Sequence, residues 1–129
     1  MINPVLDTIF NAQSANGAST PKFVKDERHL LVQVDMVGFT GTLKFCGSLQ
    51  ESIPDFSASQ SATNSFDRIA VKDYQDASTI AGDTGISGTA TTDSRIFEVN
   101  SNGLNWFGAV VSSYTAGSIN VKFIPYNNC

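Results

Sequence analysis

Asp83-Thr84-Gly85 is the triplet in this 129-residue chain that most nearly matches a way of presenting a catalytic carboxylate. In proteases that use it, two such carboxylates share one proton and activate a water, and a homodimer can supply the pair. Those enzymes set the triplet after an apolar strand and follow it with Ala or Ser. Here Ala81-Gly82 precedes it and Ile86 follows, so the residues read as an Asp/Gly turn. His29 is the single histidine, and any nucleophile–histidine–carboxylate array has to use it. It stands beside Arg28 at the head of an apolar stretch with no nucleophile motif near it. One histidine and two distant cysteines make no usual zinc site. Asp73, Asp76, Asp83 and Asp93 fall in or near adjoining loops and offer oxygen ligands for calcium, but their spacing fits no known calcium loop. Gly82-x-x-Gly85-x-x-Gly88 lacks the helix start and Lys-Ser/Thr of a phosphate loop. No catalytic residue, cofactor or metal is expected.

Aromatics offer a second chemistry. Trp106 and Tyr114 share one face of a stretch whose other face holds Phe107, and exposed aromatics on a sheet can stack on sugar rings. A carbohydrate-binding module is therefore an alternative, set against the plainer role of capping a core. Cys46 and Cys129 are too few for a disulfide framework, and two free thiols are expected.

The elements that must position these residues alternate apolar and polar positions. Leu30, Val32, Val34 and Met36 point one way, and Leu31, Gln33 and Asp35 the other. Period 2 writes a strand with one buried and one wet face. No run shows the 3.6 period of an amphipathic helix. A possible strand spans Leu6 to Phe10. Gly38–Gly41 reads as a turn between Leu30–Met36 and Thr42–Gly47, making a hairpin. Residues 66–73 and 95–99 read as further strands. Asn102-Gly103 is a tight-turn signal, and 106–114 and 118–124 follow, separated by Ala116-Gly117. The last three strands look like a meander. Phe97, Val99, Phe107, Ala109, Val111, Ile119, Val121 and Phe123 are core candidates. Seven or eight strands have to stack in two layers or close on themselves. The expectation is an all-β, single-domain antiparallel β-sandwich, in its specific form a jelly roll.

Two segments lack alternation. Residues 1–21 read as an N-terminal arm preceding a sandwich domain over 22–129, either frayed or ordering on a neighbouring subunit. Residues 48–65 form a long serine-rich loop, of the kind that is usually functional or mobile. Ile53 and Phe56 are its apolar points. With Phe10, Trp106 and Tyr114 they are the candidate interaction residues.

Composition narrows the partners. Charged residues are 16% of the chain, below the ~25% usual in soluble proteins. The net charge of −4 is dispersed, which argues against nucleic acid. No stretch approaches the ~20 apolar residues of a membrane helix, and the N-terminus does not read as a signal peptide, so synthesis in a cytoplasm is expected.

Several segments resemble small β-rich proteins encoded among the virion genes of tailed bacteriophages: Thr42–Ser48 with Pro54-Asp55-Phe56, Ala81–Ile86, Phe97–Trp106 and Ala116–Lys122. They are strand-and-turn patterns spread from residue 42 onward. The resemblance implies a structural virion protein: a capsid decoration (cement) protein, or alternatively a tail, neck or fibre component. It implies partners among major capsid or tail subunits and a homo-oligomer such as a trimer, located in the virion. On this reading the chain is not an enzyme.

Overall fold

The computed structural model describes residues 6–125, and every regular element among them is a β-strand. Nine are present: β1 Asp7–Gln13, β2 Gly17–Ala18, β3 Lys22–Phe23, β4 His29–Ser48, β5 Asp67–Ile69, β6 Val71–Asp73, β7 Thr79–Ile80, β8 Ile86–Asn100 and β9 Trp106–Pro125. All pair antiparallel in one open sheet of order β1-β9-β4-β8-β6-β7, with β2 and β3 alongside β9 and β5 alongside β4. The all-β, antiparallel expectation holds, with nine strands rather than seven or eight.

The expected hairpin over 30–47 is instead one 20-residue strand, β4, and the last two strands of the meander are likewise one, β9. Gly38 (φ 56°) and Gly117 (φ 80°) kink these strands and do not reverse them. Register shifts between Val37 and Thr40, and between Thr40 and Thr42, mark the bulges. A bulge adds one residue to one strand and bends the sheet, and glycine supplies the backbone it requires as readily as it supplies a turn. The extra residue also explains the burial pattern. On β4 the buried positions are Leu30, Val32, Val34 and Met36, then Phe39, Leu43 and Phe45, so the parity switches at the kink and the same face stays inside. On β8 buried positions change from Ile86 and Gly88 to Phe97 and Val99 across Ala90 (φ 49°).

The main core is a cluster over the whole inner face, including every core candidate on β8 and β9 named from the sequence. Phe45 stacks on Phe107 at 5.7 Å between ring centroids, and Phe107 meets Phe123 at 5.8 Å. A second, smaller cluster lies on the outer face: Cys46, Phe56 and Phe66, flanked by Ala18, Trp106 and Val110. Loop 49–66 folds over this outer face to build it. Asn64 is the loop's internal tie: its amide accepts from the Asp55 N–H at 2.8 Å and donates to the carbonyls of Asp55 and Ser59.

Residues 6–21 require a correction. Rather than standing away as an arm, β1 and β2 run along β9 of their own sheet, and Ile9 and Phe10 enter the main core. Alternation is broken there because β1 shifts register twice against β9, which hides the period-2 signal. The remainder of the arm, residues 1–5, lies outside the described residues.

Candidate interaction surface

The residues singled out for chemistry are dispersed. Asp83 is exposed in a turn closed by the Thr84 and Gly85 N–H groups on the Ala81 carbonyl, both at 3.1 Å. Asp73 is buried and ion-paired with Arg95, and it also accepts from the Gln75 N–H at 2.9 Å. Asp76 accepts from the Ser78 N–H and hydroxyl, which hold its carboxyl below the usual range. Asp93 accepts from the Ser94 N–H. Each carboxylate thus serves its own turn or ion pair. Among the described residues no group of three His, Cys, Asp or Glu side chains is placed to share a metal. Cys46 is a free, buried thiol, and Cys129 lies outside the described residues. Burial pushes the Cys46 thiol up to about 11, against the pull of Arg68.

The five candidate interaction residues divide three ways. Phe10 and Phe56 are buried, at 4% and 2% exposure, and serve the two cores. Trp106 is half-buried against the second cluster. Its indole N–H donates to the Gln50 carbonyl at 2.9 Å, and Phe23 meets its ring edge-on at 5.2 Å. Tyr114 leans on Phe39 at the kink, and its hydroxyl donates to the Gly117 carbonyl at 2.6 Å. Trp106 pairs with Ser48 at the start of β9 while Tyr114 lies eight positions on, at the kink, so the two aromatics serve different parts of the sheet. Ile53 remains exposed at the loop tip. Of the five, only Phe56 and Trp106 come together.

The outer sheet face opposite the main core offers what the five do not. Leu6, Leu31, Gln33, Ile96 and Ile124 border a shallow depression of about 170 Å³. Leu31 on β4 pairs directly with Ile124 on β9, and Ile96 on β8 pairs with Gln33, one row along β4 from Leu31, so the three apolar side chains border one patch with Gln33 among them. Side chains directly opposite on adjacent strands stand about 5 Å apart on one face. Leu6 and Ile96 are 49% and 44% exposed, which leaves the patch open. Lys122 and Glu98 flank it with opposite charges, paired with Gln33 and Leu31 respectively. The signal for this surface was in the alternation: Leu31, Ile96 and Ile124 are apolar residues at wet-face positions.

Neither a protein-family model nor a curated protein matches the sequence. In fold, the chain is similar to the crystal structure of the SPBc2 prophage-derived protein YomS, with a TM-score of 0.68 and 17% identity over 95% of this chain and 92% of that one. At that identity the likeness is one of fold.

Proposed function

We propose that this chain is a non-enzymatic structural protein of a phage particle, most specifically a capsid decoration protein. It docks on other virion subunits through the outer face around Leu31 and Ile96. The observation that carries the reading is the agreement in fold, end to end, with a prophage-derived protein. The open patch supports it: contiguous apolar surface rimmed by polar residues is characteristic of contact sites between proteins. In this reading the kinked sheet serves as a rigid β-sandwich body, and the weakly charged surface limits the desolvation that lattice contacts demand. The protein is synthesised in the host cytoplasm, assembles as a symmetric homo-oligomer such as a trimer, and ends in the virion.

The test is co-sedimentation with assembled, undecorated capsids and, separately, with isolated tails. Wild-type protein is expected to pellet with capsids, and a Leu31→Asp, Ile96→Asp double variant to stay in the supernatant with its fold intact. Failure of the wild type to bind either particle sinks the virion reading. Equal binding by the double variant leaves the reading but removes this surface from it.

A further inference from the structure

Residues 49–66 are tied mainly to themselves. The side-chain and turn hydrogen bonds of residues 51–64 all end within 48–66: Asp55 with Asn64, Ser57 with Asp55, Ser61 with Asn64, and the Gln60 amide on the Phe66 carbonyl. The stem is clamped separately. The Ser48 hydroxyl donates to the Ser65 carbonyl, the Ser65 N–H to the Gln50 side chain at 2.8 Å, and Trp106 and Asn105 hold the carbonyls of Gln50 and Leu49. Between stem and tip, Phe56 reaches down onto the sheet. Its ring fills the space above Gly108, where an added Cβ would lie 2.6 Å from Phe56 Cε2 and 2.7 Å from Ser19 Oγ. Glycine at 108 is therefore a socket for that ring, and Phe66 closes its side at 5.2 Å, edge to face. Cys46, wholly buried, shares the cluster.

We propose that residues 51–64 form a pre-assembled flap, latched by Phe56 in the Gly108 socket, which lifts off the outer face as a unit while the rest of the sheet stays folded. The bonds among Asp55, Ser57, Ser61 and Asn64 survive the motion because both partners travel together, whereas those of Gln60 to the Phe66 carbonyl and Gln50 to the Ser52 carbonyl are released. What holds the flap down is chiefly the apolar burial of Phe56 and Pro54, and a region joined to its body by so few contacts opens well before the whole domain does. Opening strips Phe56 from the cluster around Cys46 and leaves only Phe66 and the Arg68 guanidinium over the thiol, which therefore serves as a reporter. The inference rests on the loop's own geometry and is independent of the virion reading.

The experiment is native-state alkylation of Cys46 by iodoacetamide in a Cys129→Ser background, followed by mass spectrometry across low urea concentrations. Labelling is expected to be independent of urea below the unfolding transition. Phe56→Ala should raise the rate tenfold or more. Val34→Ala, which weakens the main core far from the flap, should leave it unchanged. Should Phe56→Ala fail to fold, the wild-type urea dependence and the Val34→Ala rate still decide. Labelling that rises with urea in step with global unfolding, or that Val34→Ala accelerates as much as it lowers global stability, overturns the proposal.

Discussion

Phe107 and Phe123 lie sixteen positions apart on the same strand, yet their ring centroids are 5.8 Å apart, nearly perpendicular at 73°. A straight strand would hold them roughly 53 Å apart at 3.3 Å per residue. β9 is therefore sharply bent at its kink, and this edge-to-face contact joins its two halves inside the main core. Truncating either ring should cost about 3–5 kcal/mol. In urea unfolding of both single variants and the double, the pair should show a coupling of about 0.5–1.5 kcal/mol beyond area burial. Strict additivity would mean the two halves do not support each other.

Gly117 provides the sharpest test of the kink. At φ 80°, a Cβ there would collide with the Gly38 carbonyl and the Phe39 nitrogen, where β9 crosses the kink of β4. Gly103, at φ 93° in the turn between β8 and β9, faces open space. Gly103→Ala should cost about 1–2 kcal/mol for the left-handed backbone alone, and Gly117→Ala distinctly more. Thermal melts of the two variants check the order.

Arg95 and Asp73 form the ion pair that ties β6 to β8, with Asp73 only 3% exposed. Arg95→Met leaves a buried carboxylate without its counter-charge, and the expected loss is about 3–5 kcal/mol. Adding Asp73→Asn should recover part of it. A double variant no more stable than Arg95→Met would show that the pair contributes packing and little charge compensation.

Phe10 belongs to the body and not to a detachable arm. Phe10→Ala should cost about 3–5 kcal/mol, and removing residues 1–21 should leave little cooperative unfolding, since β1 and β2 leave with them. A truncated protein that melts like the full chain would return this segment to the status of an arm.

Cys46 sets an alkaline limit. Its folded value is raised from 9.0 to about 11, first by burial. A raised folded value means that the stability tied to the neutral thiol is complete below the unfolded value and is lost as pH climbs through the folded one. Stability should thus decline between about pH 9 and 11 in the wild type, and less so in Cys46→Ser. Identical pH profiles for the two proteins would remove the thiol as the cause.

Much of this was legible in the residues themselves. Alternation at Leu30–Met36, 95–99, 106–111 and 118–124 named strands and their inward faces, because which side of a strand a residue faces is a local property with period 2. The Asn102-Gly103 turn was legible for the same reason, and the Leu104 N–H closes it on the Ser101 carbonyl at 2.9 Å. Gly38–Gly41 and Ala116-Gly117 misled: a positive-φ glycine suits a turn and a bulge equally, and only the ladder on either side tells them apart. Phe56 and Phe10 could not be assigned from their neighbours. Their partners, Gly108 and the inner face of β9, are long-range, and each sits in a segment whose alternation is broken or absent.

The chain by itself determined that the protein would be all-β with one greasy face, since side-chain direction along a strand needs no knowledge of the rest of the molecule. Where the strands kink, that β1 belongs to the sheet, and that loop 49–66 closes over its own outer face were decided by the tertiary structure. Those outcomes depend on which distant surfaces meet and exclude water together, and burial is a property of the assembled sheet, not of any stretch of sequence.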